Sequence, residues 1–415
     1  MRRPGVLIII ENLPAPFDRR VWMEARTLRD AGHQVSIICP VGKGYTSRYE
    51  VIEDIAIHRH SLPTEASGAI GYLAEYSTAI FWELVLATKI ALGRGFDVIQ
   101  ACNPPDLIFL AALPFKLLGK KFIFDHHDLC PELYEAKFAR RGAFYNVLRI
   151  FERLTFWAAD VSIATNESYK AVAIGRGKMN PADVYVVRSG PERSTWTPQS
   201  PAAHWRNGRA HMVGYLGVMG EQEGLDLLIE AIGQIVKQHG RDVQFVLIGD
   251  GTERANLEAQ VAREGLGDHV TFTGRIGDAE LIEALSSADV LVNPDRPSEL
   301  NDKSTMNKIV EYMAMAKPIV QFEMKEGRYS AMDASFYARG GDVGDFADRI
   351  IELLDDPERR AAMGASGRAR FEEVLCWEHQ KPTLLAAYAR ALGPKAVSAG
   401  ARTTLSAGDL AAGAD

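Results

Sequence analysis

Short, continuously apolar runs recur along this chain, each followed by a stretch with helical spacing, and that rhythm limits the folds open to it. In the first half the runs fall at 6–10, 35–39, 98–101, 122–125, 161–164 and 184–187. They are apolar at consecutive rather than alternate positions, which is the pattern of strands covered on both faces and hence of a parallel sheet. Several end in polar or proline-rich turns such as ENLPAPFDRR, CNPPD and HHDLCPE. The second half restarts the rhythm with MVGYLG, VQFVLIGDG, VTFTGRI, VLVNPD and PIVQF. Between the halves, RSGPERSTWTPQSPAAHWRNGRA has no periodicity and reads as a linker.

The expected architecture is therefore α/β. Two Rossmann-like doubly wound domains, at 1–190 and 209–375, are joined by a linker at 191–208 and face a central cleft, with ligands at the carboxyl ends of the strands. A helix is expected at 376–394, crossing back to the first domain, and the small-residue-rich stretch 395–415 reads as a disordered tail. Length agrees, since 415 residues exceed what one core supports.

A net charge of −7 gives no reason to expect nucleic acid as a partner. Cys39, Cys102, Cys130 and Cys376 lie far apart with no CxxC pair, which fits reduced cytosolic thiols better than disulfides or zinc. The apolar run in MRRPGVLIIIEN is too short for a signal peptide. AEYSTAIFWELVLATKIALG is broken by Glu75, Glu83 and Lys89 well short of a bilayer span, so a buried or surface-lying helix and a cytoplasmic setting are expected.

The most informative stretch is SELNDKSTMNKIVEYMAMAKPIV, residues 298–320. Lys303, Asn307 and Glu311 are spaced four apart, while Met306, Ile309, Val310 and Met313 fall on the other side, which predicts one helix with a polar strip above a buried seam. Asp302 or Ser304 would cap it, leaving N–H groups for a phosphate beside Lys303, with Glu311 placed for the vicinal hydroxyls of a ribose. A helix end contributes only about 0.3–2 kcal/mol to an anion, whereas millimolar to micromolar affinity needs roughly 4–8 kcal/mol. The terminus alone is not a sufficient site.

These motifs, in order along the chain, resemble one family. PFDRRVWMEARTLRDAGHQVSIICP, FDHHDLCPELY, VVRSGPE, GYLGVMGEQEGLDLLIEAI, LIGDGTERANLE, VTFTGRIGDAELIEALSSADVLVNP and NKIVEYMAMAKPIV together look like a retaining glycosyltransferase of the GT-B architecture, in sequence family 4. The resemblance runs to about residue 392. It implies transfer of a sugar, with retention, from a nucleotide diphosphate-sugar to a glycan or lipid-linked acceptor in surface polysaccharide synthesis. No cofactor or metal is implied, and a UDP-sugar is the first expectation for the co-substrate.

Carried over residue by residue, the resemblance puts His127 of DHHD against the transferred sugar and Glu311 on the donor ribose. From the chain's own residues, Gly217, Arg275, Ser304, Thr305 and Asn307 are added to the expected donor set. Two departures stand out: the Arg and Lys that the family places in the glycine-flanked loop are Val218 and Glu223 here, and the first glutamate of its paired motif is Lys303. A relocated cation is the expectation, with Lys303 replacing the lost loop charge and acting beside His127 in catalysis. Asp18, Arg19 and Arg20, after the first strand, are expected on the acceptor side. No Asp-x-Asp pair occurs in the chain, which fits a donor diphosphate held by cationic side chains rather than a metal.

Finally, LYEAKFARRGAFYNVLRIFERLTFWAAD interleaves Lys137, Arg140, Arg141, Arg149 and Arg153 with aromatics, a composition suited to peripheral contact with an anionic membrane as well as to an ordinary core. The alternative functions are a non-catalytic homologue that binds nucleotide or a partner, and, with less in its favour, a nucleotide-sugar 2-epimerase.

Overall fold

Buried apolar runs become parallel strands in both halves of the chain, as seen in a computed structural model that describes residues 3–62, 68–138 and 140–393. The first sheet contains β1 (Gly5–Ile9), β2 (Gln34–Pro40), β3 (Tyr49–Ile52), β4 (Ile55–His60), β5 (Val98–Cys102), β6 (Lys121–His126), β7 (Val161–Ala164) and β8 (Val184–Val186). Their order is β3-β4-β2-β1-β5-β6-β7-β8, and all pairings are parallel except β3 with β4. Helices α1 (Arg19–Asp30), α2 (Gly68–Leu92), α3 (Phe109–Leu117), α4 (Cys130–Phe138), α5 (Ala143–Ala158) and α6 (Glu167–Gly175) connect them.

The second sheet contains β9 (His211–Leu216), β10 (Val243–Ile248), β11 (Val270–Gly274), β12 (Val290–Asn293), β13 (Ile319–Phe322) and β14 (Ser335–Ala338), in the all-parallel order β11-β10-β9-β12-β13-β14. Its helices are α7 (Leu225–Gly233), α8 (Arg254–Arg263), α9 (Asp278–Ser287), α10 (Glu299–Lys303), α11 (Asn307–Ala314), α12 (Lys325–Ala331), α13 (Val343–Asp355) and α14 (Pro357–Arg370). A last helix, α15, spans Trp377–Leu392.

Strand β10 shows why the runs are continuous. Val243, Phe245 and Leu247 pack with Leu228, Ile232 and Phe346 on one face of the sheet, while Val246 and Ile248 pack with Leu285, Ile309 and Met313 on the other. Each sheet reverses its direction of growth once, between β1 and β5 and between β9 and β12. At such switch points the loops leaving adjacent strands diverge and open a crevice for ligand.

The chain forms two compact units: the described residues up to Val187 with those from Gln380 onward, and Arg188–His379. The stretch read as a linker is not a free connection. Trp196 is buried in the second core, the Gln199 and Ala202 amides donate to Ser286 Oγ and Ser287 Oγ of α9, and Trp205 Nε1 donates to Glu283 Oε1 at 3.0 Å. Its Trp residues supply the packing that its missing periodicity concealed. The tail expected at 395–415 lies outside the described residues.

Two further elements were not anticipated. The β3–β4 hairpin turns through Glu53 and Asp54, both at positive φ (48° and 63°), so an acidic pair occupies a turn normally signalled by Asn-Gly. Strand β14 is a short sheet edge with a half-exposed centre, and its composition, SFYA, lacks the run of branched residues seen elsewhere.

Candidate functional site

In the first unit the functional groups gather where β5 and β6 end beside the switch point. Asp125, the penultimate residue of β6, is the hub. Its Oδ1 accepts from Arg20 Nη2 at 3.0 Å, and its Oδ2 accepts from Gln100 Nε2 at 2.9 Å and meets His127 Nε2 at 2.8 Å. Arg20 also reaches Glu24 at 3.1 Å and donates to the Val187 carbonyl at 2.9 Å. Gln100 donates to Glu24 Oε2 at 2.6 Å and accepts from the Tyr388 hydroxyl of α15. Every charged group here except His127, which is 16% exposed, is essentially out of solvent.

Burial pushes the Asp125 carboxyl up, but the Arg20 guanidinium and the His127 ring outweigh it and hold the group well below the usual carboxylate range. Burial likewise lowers His127, and Asp125 and Cys102 more than reverse that, so the ring is protonated well above the ordinary histidine value. Its Nε2 faces Asp125 and also lies 3.1 Å from Arg20 Nε, so the ring is held between the guanidinium and the carboxylate. The His127 amide donates to Asn103 Oδ1 at 2.7 Å, which fixes the backbone that presents the ring. His126 behaves differently. It is wholly buried among Phe124, Phe156 and Tyr169, and burial drives it down to about 3, so it is a neutral core residue.

The acceptor-side triplet is dispersed. Asp18 caps α1, its Oδ1 accepting from the Val21 amide at 3.0 Å, and Arg20 turns into the Asp125 network. Arg19 is exposed. Three consecutive residues entering a helix point about 100° apart, so they cannot share one face.

In the second unit, the loop after β9, residues 217–224, lies against the loops after β10 and β12. Gly249 has φ +135° and so closely faces the Gly217 carbonyl that a Cβ would lie 1.8 Å from its oxygen. The Gly217 amide donates to Ile248 O at 3.0 Å. Lys308, on α11, reaches back to this loop: its Nζ lies 2.6 Å from Glu223 Oε2 and 2.7 Å from Asp295 Oδ1, above the Tyr215 ring. The Tyr215 hydroxyl donates to the Val218 carbonyl at 2.9 Å, and the Tyr312 hydroxyl accepts from the Leu216 amide at 2.8 Å. Helix α11 is thus fastened to the end of β9. Burial lowers the Lys308 ammonium, but Asp295 and Tyr215 raise it further, leaving it well above the ordinary lysine value.

Two expectations are corrected here. The stretch 298–320 does not form one helix: α10 ends at Lys303 and α11 begins at Asn307, so Lys303, Asn307 and Glu311 do not stack on one strip. Neither expected cap serves α11, because Asp302 Oδ1 accepts from the Lys325 amide at 2.8 Å and Ser304 Oγ donates to Leu300 O at 2.8 Å. Ser298 caps α10, and Met306 stands at the N-cap of α11 without a side-chain bond. The side chain facing the loop carboxylate is Lys308, whereas Lys303 Nζ pairs with Glu299 Oε1 at 2.7 Å.

Gly217, Arg275 and the 303–311 segment follow β9, β11 and β12 respectively, and so leave the same edge of a parallel sheet. Arg275 and Asn307 are exposed, and Lys303, Ser304, Thr305 and Glu311 are half-buried. Sequence reasoning missed Asp125, Gln100 and Tyr388 as a network, and it missed Lys308. Lys308 stands four residues before Tyr312, a spacing that puts both on the sheet-facing side of α11.

With this geometry in place, relatives are informative. A Glycosyl transferase 4-like domain matches residues 18–190, and Glycosyl transferases group 1 matches residues 210–356. The chain belongs to the GT-B glycosyltransferases of family 4. A 2-deoxystreptamine glucosyltransferase of Streptomyces kanamyceticus is 29% identical over 184 residues, 44% of this chain and 46% of that protein. The match therefore spans less than half of that relative's length. A phosphatidyl-myo-inositol mannosyltransferase of Mycobacterium leprae is 29% identical over 370 residues, covering 87% of this chain and 90% of that one. Among solved structures, a sucrose-phosphate synthase from Thermosynechococcus elongatus matches 98% of this chain and 100% of its own at a TM-score of 0.75 and 18% identity. An Anabaena protein in complex with UDP and glucose covers 92% of this chain and 99% of its own at a TM-score of 0.70 and 16% identity. These two likenesses establish the fold.

Proposed function

We propose that this protein transfers a sugar, with retention of anomeric configuration, from a nucleotide diphosphate-sugar to a glycan or lipid-linked acceptor in surface polysaccharide synthesis. A UDP-sugar is the proposed co-substrate, with no further cofactor and no metal. The observation that carries this reading is the pairing of Lys308 with Glu223: the carboxylate that replaced a family cation is bound by an ammonium and does not confront a diphosphate as a bare charge.

In this reading the diphosphate lies against Lys303 and Arg275, with Ser304, Thr305 and Gly217 beside it. Asn307 and Glu311 take the pentose hydroxyls. His127, a protonated donor balanced by Asp125, hydrogen-bonds the transferred sugar and orients it. The bond from the anomeric carbon to the diphosphate oxygen breaks as the acceptor oxygen attacks the same face, and the acceptor proton passes to the leaving diphosphate. The phosphatidyl-myo-inositol mannosyltransferase relative supports an acceptor at or near a membrane.

A screen of nucleotide sugars tests the reading. Donor hydrolysis or transfer, with the product anomer matching the donor anomer by NMR, is expected. Absence of turnover together with absence of thermal stabilisation by saturating UDP or GDP would overturn it.

A further inference from the structure

Helix α5 exposes an apolar face in addition to the one it buries. Phe144, Val147, Ile150, Leu154 and Trp157 recur at three- and four-residue steps, which aligns them along one face, and all five are exposed, Ile150 at 56% and Trp157 at 72%. Two polar residues, Glu152 and Thr155, lie among the buried Tyr145, Phe156 and Ala158 on the inner side. Glu152 is buried and accepts from Arg176 Nη2 at 2.6 Å, and the Thr155 hydroxyl donates to the Asp106 carbonyl. The bonds of Glu152 and Thr155 set the orientation of the helix. Neighbouring α3, which packs against α5, exposes Leu110 and, at 81%, Leu117.

Cations border this face. Arg149 and Arg153 are exposed next to Ile150 and Leu154, and neither makes an ion pair among the described residues. The sole acid of α5 is the buried Glu152, so its solvent side is purely cationic although the chain carries −7 overall. Five large apolar side chains exposed along one helical face mark an interaction surface rather than scattered exposure.

We infer that the α5 face, with the exposed leucines of α3, docks onto an anionic lipid bilayer, lying in its headgroup layer. The inference rests on the proposed lipid-linked acceptor for its biological sense, but its physical basis is independent of the donor. Apolar and aromatic side chains on one helical face with arginines at its border are the pattern of a helix that lies in a membrane interface. At 16 residues α5 is too short to span a bilayer, and no described helix is long and apolar enough to cross one. A second copy docking through this face would bring a second pair of exposed arginines to it with no exposed acid on α5 to offset the four charges.

Vesicle flotation of the full chain tests the inference, with phosphatidylcholine alone against phosphatidylcholine containing one third phosphatidylglycerol. Flotation with the anionic vesicles only, weakening with salt, is expected. The double substitution I150E/L154E should abolish it, and R149E/R153E should weaken it by at least roughly thirtyfold. Circular dichroism and a cooperative thermal melt establish that each variant is folded. Failure to float with anionic vesicles overturns the inference, as does equal flotation of folded I150E/L154E. A dimer seen by light scattering that dissociates in I150E/L154E reassigns the face to a second copy. Flotation is read without substrate, so loss of the donor reading leaves this result standing, and the converse also holds.

Discussion

Around Asp125 in the first unit, two cations, Arg20 and His127, face two carboxylates, Asp125 and Glu24, whereas around Lys308 in the second a single cation serves Glu223 and Asp295. Neutral donors from Gln100 and Tyr388 join the first cluster across 288 residues of sequence, although Glu24 Oε1 is buried without a hydrogen bond. The second is one positive charge short, and Asp295 Oδ2 is buried without a partner. Burial and the nearby Glu223, opposed by Lys308, raise Asp295 to about 7, so a proton substitutes for the missing cation. Burial and the adjacent Asp125, opposed by Arg20, likewise raise Glu24 to about 8, so the first cluster carries more positive than negative charge, which suits it to holding the anionic Asp125 in place. An acid-rich one leaves binding of an anion to groups outside it, which is where Lys303 and Arg275 stand.

Removing a charge at the centre of the first cluster should have the largest effect. Asp125→Asn leaves Arg20 and His127 buried without their shared counter-ion and is expected to cost about 3–5 kcal/mol in urea denaturation. A loss under 1 kcal/mol would show that the cluster is not the anchor described here. Lys308→Met should cost somewhat less, about 2–3 kcal/mol, because Asp295 can take up a proton in response.

The two clusters should also separate by pH. The folded His127 value lies above the unfolded one of about 6.5, so its contribution is complete below that and lost as pH rises through the folded value. Asp295 is raised from 3.8 to about 7, so its contribution is present below 3.8 and is lost between there and 7. As pH rises, the stability advantage of wild type over Asp295→Asn should therefore fall between about 3.8 and 7, and that over His127→Gln should fall only above neutral pH. Overlapping profiles would erase the distinction between the clusters. The smallest stability change is expected for Lys303→Ala, within about 0.5 kcal/mol since its pair with Glu299 is partly exposed. Its donor KM should nevertheless rise roughly three- to tenfold, about 0.6–1.4 kcal/mol. An unchanged KM would remove Lys303 from the donor set.

The strand rhythm was legible because each buried strand carries its own signal: β1, β2 and β5–β7 fall within a residue or so of their apolar runs. Elements whose definition is tertiary were not. Glu53 and Asp54 form a hairpin turn without turn residues, and Trp196 converts an apparent linker into core. At the sites, His127 and Glu311 are visible in motifs, but Asp125 acquires its role only through Arg20, Gln100 and His127, which β-sheet register and helix packing bring to it. Four-residue spacing from 303 to 311 was misleading for a definite reason. It describes a helix face only if the helix is unbroken, and Ser304 donating to Leu300 O closes the first turn before the second begins.

That interruption at 304–306 leaves Lys303 and Glu311 on separate rigid bodies joined by three residues. An ammonium and a carboxylate mounted this way can be respaced by editing the joint alone, while Tyr312 keeps the later helix moored to its strand. Inserting or deleting a residue between 303 and 307 would shift one group and leave the other where it stands, giving protein engineers an adjustable caliper where a continuous helix would have offered a fixed ruler.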